Sequence, residues 1–126
     1  MYHLFVPGSI YGALGMDHDQ FREAVHRVAL DLPAVLREAG TSFIAVTGSS
    51  GVSFAFALRM LIDVDIVVVR KPGENSHGAK DGVNCTGRRA HKMQKYVILD
   101  DLVASGNTVA RIRGQLSPAE CVDVIS

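Results

Sequence analysis

Net charge is the first thing this chain lacks. Its 13 lysines and arginines balance 13 aspartates and glutamates. No overall basic field is available to hold nucleic acid or an anionic membrane, so any anion must be met by local charge placement. Cysteine is scarce as well. Cys85 and Cys121 lie far apart and have no metal-ligand spacing, which favours reduced thiols and a cytoplasmic setting over a disulfide scaffold or a zinc site. The histidines do not cluster at ligand spacings. No apolar run approaches the roughly 20 residues that cross a bilayer, so no membrane partner is expected. Residues 1–15 have neither the basic start nor the sustained apolar stretch of a leader. Internal repeats and low-complexity linkers are missing too.

What remains is ordinary material for one globular domain over 1–126, with 48% hydrophobic and 21% charged residues. Residues 2–6 suit a strand or extended arm, and 7–15 a loop. Asp17, with Gln20 three positions on, is a capping-box variant that opens a helix. Phe21, Val25, Val28 and Leu32 follow at helical spacing. Pro33 either kinks that helix or opens a second one behind an Asp31 cap. Val35, Leu36 and Ala39 extend the apolar face, and Gly40 is a natural stop. Residues 42–46 (SFIAV) and 66–69 (IVVV) read as buried strands. Between them lie a small-residue turn, 47–51, and a buried helix, 52–61. Residues 72–94 have almost no apolar pattern, and a loop of that length is functional or mobile. A strand over 96–99, a helix over 108–116, a break at Pro118 and a strand over 120–125 complete the chain. This order predicts an α/β fold: a mostly parallel sheet of four to five strands flanked by helices. Such sheets bind ligands at the carboxyl ends of their strands. Residues 47–51, 70–71 and 100–108 all fall there.

The densest chemistry is at 96–108, YVILDDLVASGNT. Ionised Asp100 and Asp101 are acceptors suited to vicinal ribose hydroxyls. Adjacent strand residues point to opposite faces, so the two do not form a close catalytic dyad. Ala104, Ser105, Gly106, Asn107 and Thr108 can offer backbone N–H groups and hydroxyls to a phosphate at the positive end of a helix. Thr47, Gly48, Ser49, Ser50 and Gly51 form a second anion loop of the same kind. Arg70 and Lys71 put a cation at the end of the adjoining strand, facing that loop. Lys80, Arg88, Arg89 and Lys92, with His77, charge the long loop.

Residues 96–108 resemble the signature of type I phosphoribosyltransferases, which bind 5-phosphoribosyl-1-pyrophosphate (PRPP). Residues 43–73, FIAVTGSSGVSFAFALRMLIDVDIVVVRKPG, resemble the pyrophosphate-loop region of adenine phosphoribosyltransferases and their relatives. Ser50 stands where many adenine enzymes carry Arg, Ser105 where many members have Thr, and Asn107 where many have Gly. The likeness covers roughly 42–116.

The resemblance implies a glycosyltransferase that moves the 5-phosphoribosyl group to a nitrogen of a purine, adenine foremost, and releases pyrophosphate. It gives Asp100 and Asp101 the ribose hydroxyls and the placing of magnesium, largely through PRPP. Lys71 becomes a catalytic cation that meets pyrophosphate with Arg70 and 47–51, and residues 104–108 hold the 5′-phosphate. It makes 72–94 a flexible cover, in which Lys80, Arg88 or Arg89 meets the departing pyrophosphate. A strained cis peptide is expected at 47–49, and a homodimer is implied. The hood that normally holds the base would be reduced or absent, with 1–16 as its remnant or an arm, in a minimal or truncated member. The alternative is a non-catalytic PRPP- or nucleotide-binding sensor on the same fold.

Overall fold

Asp17 opens the first helix with both halves of a capping box. In the computed structural model, which describes residues 17–70, 83–85, 93–99 and 107–125, the Gln20 N–H donates to Asp17 Oδ1 at 2.8 Å. The Asp17 N–H donates to Gln20 Oε1 at 3.2 Å. Two orphan donors of the helix start are thereby satisfied. Helix α1 runs His18–Ala39 and continues through Pro33. Proline removes one backbone donor, but Val28, Leu32, Val35 and Leu36 on either side are buried in one stripe. Packing of that stripe outweighs the local penalty, so there is one helix, not two. Gly40, at φ 76°, ends it. Its N–H reaches Arg37 O, and the Thr41 N–H reaches Leu36 O. This is the paired bonding of a Schellman stop, in which a left-handed residue is needed and glycine takes that conformation without strain.

Strand β1 (Phe43–Val46) follows, then helix α2 (Gly48–Arg59), β2 (Asp65–Val69), β3 (Val83–Cys85), β4 (Lys95–Leu99), helix α3 (Asn107–Leu116) and β5 (Glu120–Ile125). The sheet order is β3-β2-β1-β4-β5. β1 lies parallel to β2 and β4, and β4 parallel to β5. The mostly parallel α/β sheet expected from the sequence is therefore present. Two expectations change. Helix α2 starts at Gly48, inside what read as a turn, because small residues tolerate a helical first turn as well as a loop. The stretch 72–94 contains β3, antiparallel to β2 through Val67↔Cys85 and Val69↔Val83. Residues 1–16 lie outside the described residues.

Strand alternation divides the core in two. Ile44, Val46, Ile66, Val68, Val97 and Leu99 face α1 and α2, where Phe21 meets Phe54 edge to face at 5.9 Å. Phe43, Ala45, Val67, Val69, Tyr96 and Ile98 face the other way, onto Ile112 and Leu116 of α3. Near-continuous apolar strands are what a sheet covered on both faces requires. The amino rim is closed by short polar links. Thr41 Oγ1 donates to Lys95 O at 2.7 Å, and Ser42 Oγ to Asp65 Oδ2 at 2.8 Å. Arg59 lies 3.8 Å from Asp65. No described helix is long and apolar enough to cross a membrane.

Candidate active site

The strand order reverses at β1. From there the chain winds outward to β2 on one side and later to β4 and β5 on the other. Ala45 pairs with Ile98, so β1 and β4 both end one residue further on, at the same rim. A crevice at such a reversal is where open α/β sheets bind ligands. Residues 47–51 leave β1 at that point, and Asp100 follows directly on the last residue of β4.

Thr47 is the N-cap residue of α2, with extended angles (φ −144°, ψ 156°), yet its side chain makes no capping hydrogen bond. It donates instead to Val69 O at the end of β2, at 2.7 Å. It also accepts from Arg111 Nη2 of α3 at 3.1 Å. Gly48 opens the helix at φ 76°, a conformation that glycine enters at little cost. A Cβ there would meet nothing within 4 Å, so the backbone angle, not space, requires glycine. Gly51 is buried against β1, where a Cβ would sit 3.7 Å from Val46 Cβ. The cis peptide expected at 47–49 is absent. Among the described residues the cis bond is Ser117–Pro118, and it is Gly48 that supplies the change of direction at the turn.

Arg70 directly follows β2, and Gln115 Nε2 donates to its carbonyl at 3.3 Å. The Nε atoms of Arg70 and Arg111 and the Oε1 of Gln115 are buried and have no hydrogen-bond partner among the described residues. Buried polar atoms are nearly always paired, so such exceptions call for a physical reason. Neither arginine has a carboxylate within ion-pair distance among the described residues. The amino rim is internally satisfied, whereas the carboxyl rim keeps cationic donors in reserve. That asymmetry favours an anion.

Of the residues singled out from the sequence, Thr47, Gly48, Ser49, Ser50 and Gly51 form the cap and first turn of α2, Arg70 ends β2, and Asn107 and Thr108 open α3. Lys71, His77, Lys80, Arg88, Arg89, Lys92, Asp100, Asp101, Ala104, Ser105 and Gly106 lie outside the described residues. Sequence reasoning missed Arg111 and Gln115. Their signal was a half-buried polar stripe at i, i+3 and i+7 on α3, running Thr108, Arg111, Gln115 beside the apolar stripe of Val109, Ile112 and Leu116.

Two other titratable groups are perturbed away from this rim. Tyr96 and Cys121 pair across β4 and β5, next to the amino-end pair Lys95↔Glu120. Burial pushes the Tyr96 hydroxyl up to about 12, with Cys121 adding to the rise and Arg113 opposing it. Burial also raises the Cys121 thiol, with Arg113 opposing. A thiol held protonated is a poor nucleophile.

A doubly wound α/β sheet with the starts of α2 and α3 on its carboxyl side is an architecture that suits phosphate-bearing ligands. Comparison with known proteins narrows it. The chain is 31% identical over 116 residues to a hypoxanthine/guanine phosphoribosyltransferase of Methanocorpusculum labreanum, an alignment covering 81% of this chain and 57% of that protein. It is 28% identical over 93 residues to an HGPRTase-like protein of Halorhabdus utahensis, covering 66% and 49%. The chain thus spans about half the length of these curated relatives. Its fold resembles the UMP synthase of Leishmania donovani, with a TM-score of 0.57 at 23% identity, covering 83% of this chain and 22% of that one. No family model matches. The chain belongs to the type I phosphoribosyltransferase family.

Proposed function

We propose that this chain transfers the 5-phosphoribosyl group of PRPP to a ring nitrogen of a purine and releases pyrophosphate. The observation that carries this reading is the rim at the β1/β4 reversal. There Thr47 leaves the first turn of α2 without a side-chain cap and is reached by Arg111 of α3, and neither Arg111 nor Arg70 is neutralised by a described carboxylate. PRPP is an anion with phosphate at both ends, and such a rim has a seat for each.

Each residue then has one task. The N–H groups of 48–51 take the pyrophosphate at the positive end of α2, with Arg70 and Lys71 adding charge. Residues 104–108 take the 5′-phosphate at the start of α3, and Asp100 and Asp101 accept from the ribose hydroxyls. As the C1′–O bond breaks, negative charge grows on the departing diphosphate, and fixed donors stabilise it without reorganising. The base nitrogen then attacks C1′ from the opposite face. Lys80, Arg88 or Arg89 would close over the diphosphate and keep water from the reactive centre.

No described group of three or more acidic, histidine or cysteine side chains could hold a metal. The described rim offers donors and cations and no metal-ligand set, so magnesium would enter with PRPP, and Asp100 and Asp101 are the residues that would hold it there. When bound, it neutralises the diphosphate as a Lewis acid. The purine to test first is hypoxanthine or guanine, after the name of the Methanocorpusculum relative, with adenine beside them. A cytoplasmic homodimer completes the reading. Its support is the apolar outer face of α2, where Phe56 and Met60 are exposed one turn apart, and sedimentation would test it.

The test is release of pyrophosphate from PRPP and magnesium with each base. Turnover with a purine is expected, together with loss of PRPP binding in the doubly substituted Asp100→Asn, Asp101→Asn protein. PRPP binding without turnover on any base would replace the enzyme with a PRPP-responsive regulator. Undiminished binding in the double variant would remove the site.

A further inference from the structure

Arginines elsewhere among the described residues stand in water or beside a carboxylate. Arg22, Arg37 and Arg113 are exposed. Arg27 lies 3.0 Å from Glu23, and Arg59 lies 3.8 Å from Asp65. Arg70 and Arg111 differ. Among the described arginines they alone are drawn in from the surface. Their Nε atoms are buried with no hydrogen-bond partner among the described residues, and no described carboxylate lies within ion-pair distance. Withdrawing a cation from water without a counter-charge is unfavourable, and an anion that arrives as ligand offsets that cost. Both belong to the same strand ends. Arg111 Nη2 donates to Thr47 Oγ1 at 3.1 Å, and Thr47 Oγ1 donates to Val69 O at 2.7 Å, directly before Arg70.

Gln115 stands next to both. It lies at i+4 from Arg111 on α3, where side chains meet. Its Nε2 donates to Arg70 O at 3.3 Å, while its Oε1 is buried and has no partner among the described residues. A glutamate has the same length and shape, and the Glu23–Arg27 pair shows that this chain forms ion pairs across one helical turn. We propose that Gln115 is a positioning residue that holds the end of β2 by its amide N–H and, being neutral, keeps Arg70 and Arg111 free for the diphosphate of PRPP. This inference rests on the PRPP reading above.

The test measures binding of inorganic pyrophosphate with magnesium, by calorimetry on the full chain, beside urea denaturation. The variants are Gln115→Met, Gln115→Glu, and Gln115→Glu in a background carrying Arg70→Gln and Arg111→Gln. Gln115→Met loses the hold on Arg70 O without adding charge, and should weaken pyrophosphate about threefold, the scale of one neutral hydrogen bond. Gln115→Glu should weaken it on the order of tenfold further, because the carboxylate takes the arginines. It should nonetheless be at least as stable as Gln115→Met. Affinity lost while stability is kept marks groups held open for a ligand, whereas a packing defect lowers both and would overturn the proposal. Without the two arginines the carboxylate has nothing to occupy, so in that background Gln115→Glu should cost about threefold, as Gln115→Met does. Equal binding by Gln115→Met and Gln115→Glu would overturn the proposal. So would a full loss in the background lacking both arginines, since the carboxylate would then repel the anion by itself. Should Gln115→Glu not fold, the wild type carries the comparison. Its Arg70 and Arg111 Nε–H resonances, assigned from Arg70→Gln and Arg111→Gln, should shift on adding pyrophosphate, and unmoved signals overturn the proposal. A wild type that does not bind pyrophosphate sinks the PRPP reading, and the inference with it. A wild type that binds it, with Gln115→Glu binding equally well, sinks the inference alone.

Discussion

Thr47 has one hydroxyl, and three partners could claim it: its own helix, the neighbouring strand and a distant arginine. The structure awards it to the last two, and residue-scale consequences follow. Gly48 must hold φ 76° so that the turn can open. Gly48→Ala meets no steric clash but forces a side chain into left-handed angles, so it should lower stability by about 1–2 kcal/mol. Gly51→Ala, in ordinary contact with Val46 Cβ, avoids that angular strain. Urea denaturation of the two variants would check the difference. Tyr96 makes a second, independent case. Its hydroxyl is buried and has no partner among the described residues, so Tyr96→Phe should be neutral or stabilising by up to about 1 kcal/mol at pH 7. The same hydroxyl is pushed up to about 12 by burial. Between pH 10 and 12 the unfolded chain has lost this proton while the folded one keeps it, so stability falls as pH rises through that window. Tyr96→Phe should flatten the fall in an alkaline denaturation series, leaving the smaller part due to Cys121.

At the scale of elements, what the sequence revealed depended on how local the cause was. The Asp17–Gln20 box and the Gly40 stop are short-range hydrogen-bonding devices, and both appear where the residues indicate. β1, β2 and β4 are largely buried runs, and they and the half-exposed edge strand β5 lie within a residue of expectation. β3 is three residues, Val-Asn-Cys, in a polar stretch, and it exists because β2 offers an open edge. No local pattern could carry that. Pro33 is the opposite case, a strong local signal overruled by the stripe around it. Pro33→Ala restores a backbone donor in mid-helix and should raise stability by about 1–3 kcal/mol, measurable as a higher urea midpoint at unchanged slope. For the site, the turn after β1 was legible because glycine and serine crowd there. Arg111 and Gln115 were not, since their meaning depends on which strand end α3 passes over.

For the whole molecule, a ligand bridging two helix starts stabilises everything that positions them. PRPP with magnesium at 100 times its dissociation constant should add about 2.7 kcal/mol to unfolding, seen as a rise in thermal midpoint that ribose 5-phosphate and pyrophosphate, each at one end only, do not match at equal concentration. The link from Arg111 to Thr47, 64 residues apart, also bears on how the chain reaches its native state. β1 can join β2 through the short α2 crossover, but β1 meets β4, and α3 meets Thr47, only after a much longer loop has closed. Contacts of such separation form slowly, because loop entropy is lost before they repay it. During refolding the first half of the sheet should regain protection early, and the turn proposed to bind pyrophosphate should regain ligand affinity late. Competence to bind would then be a report that the last long-range contact has formed.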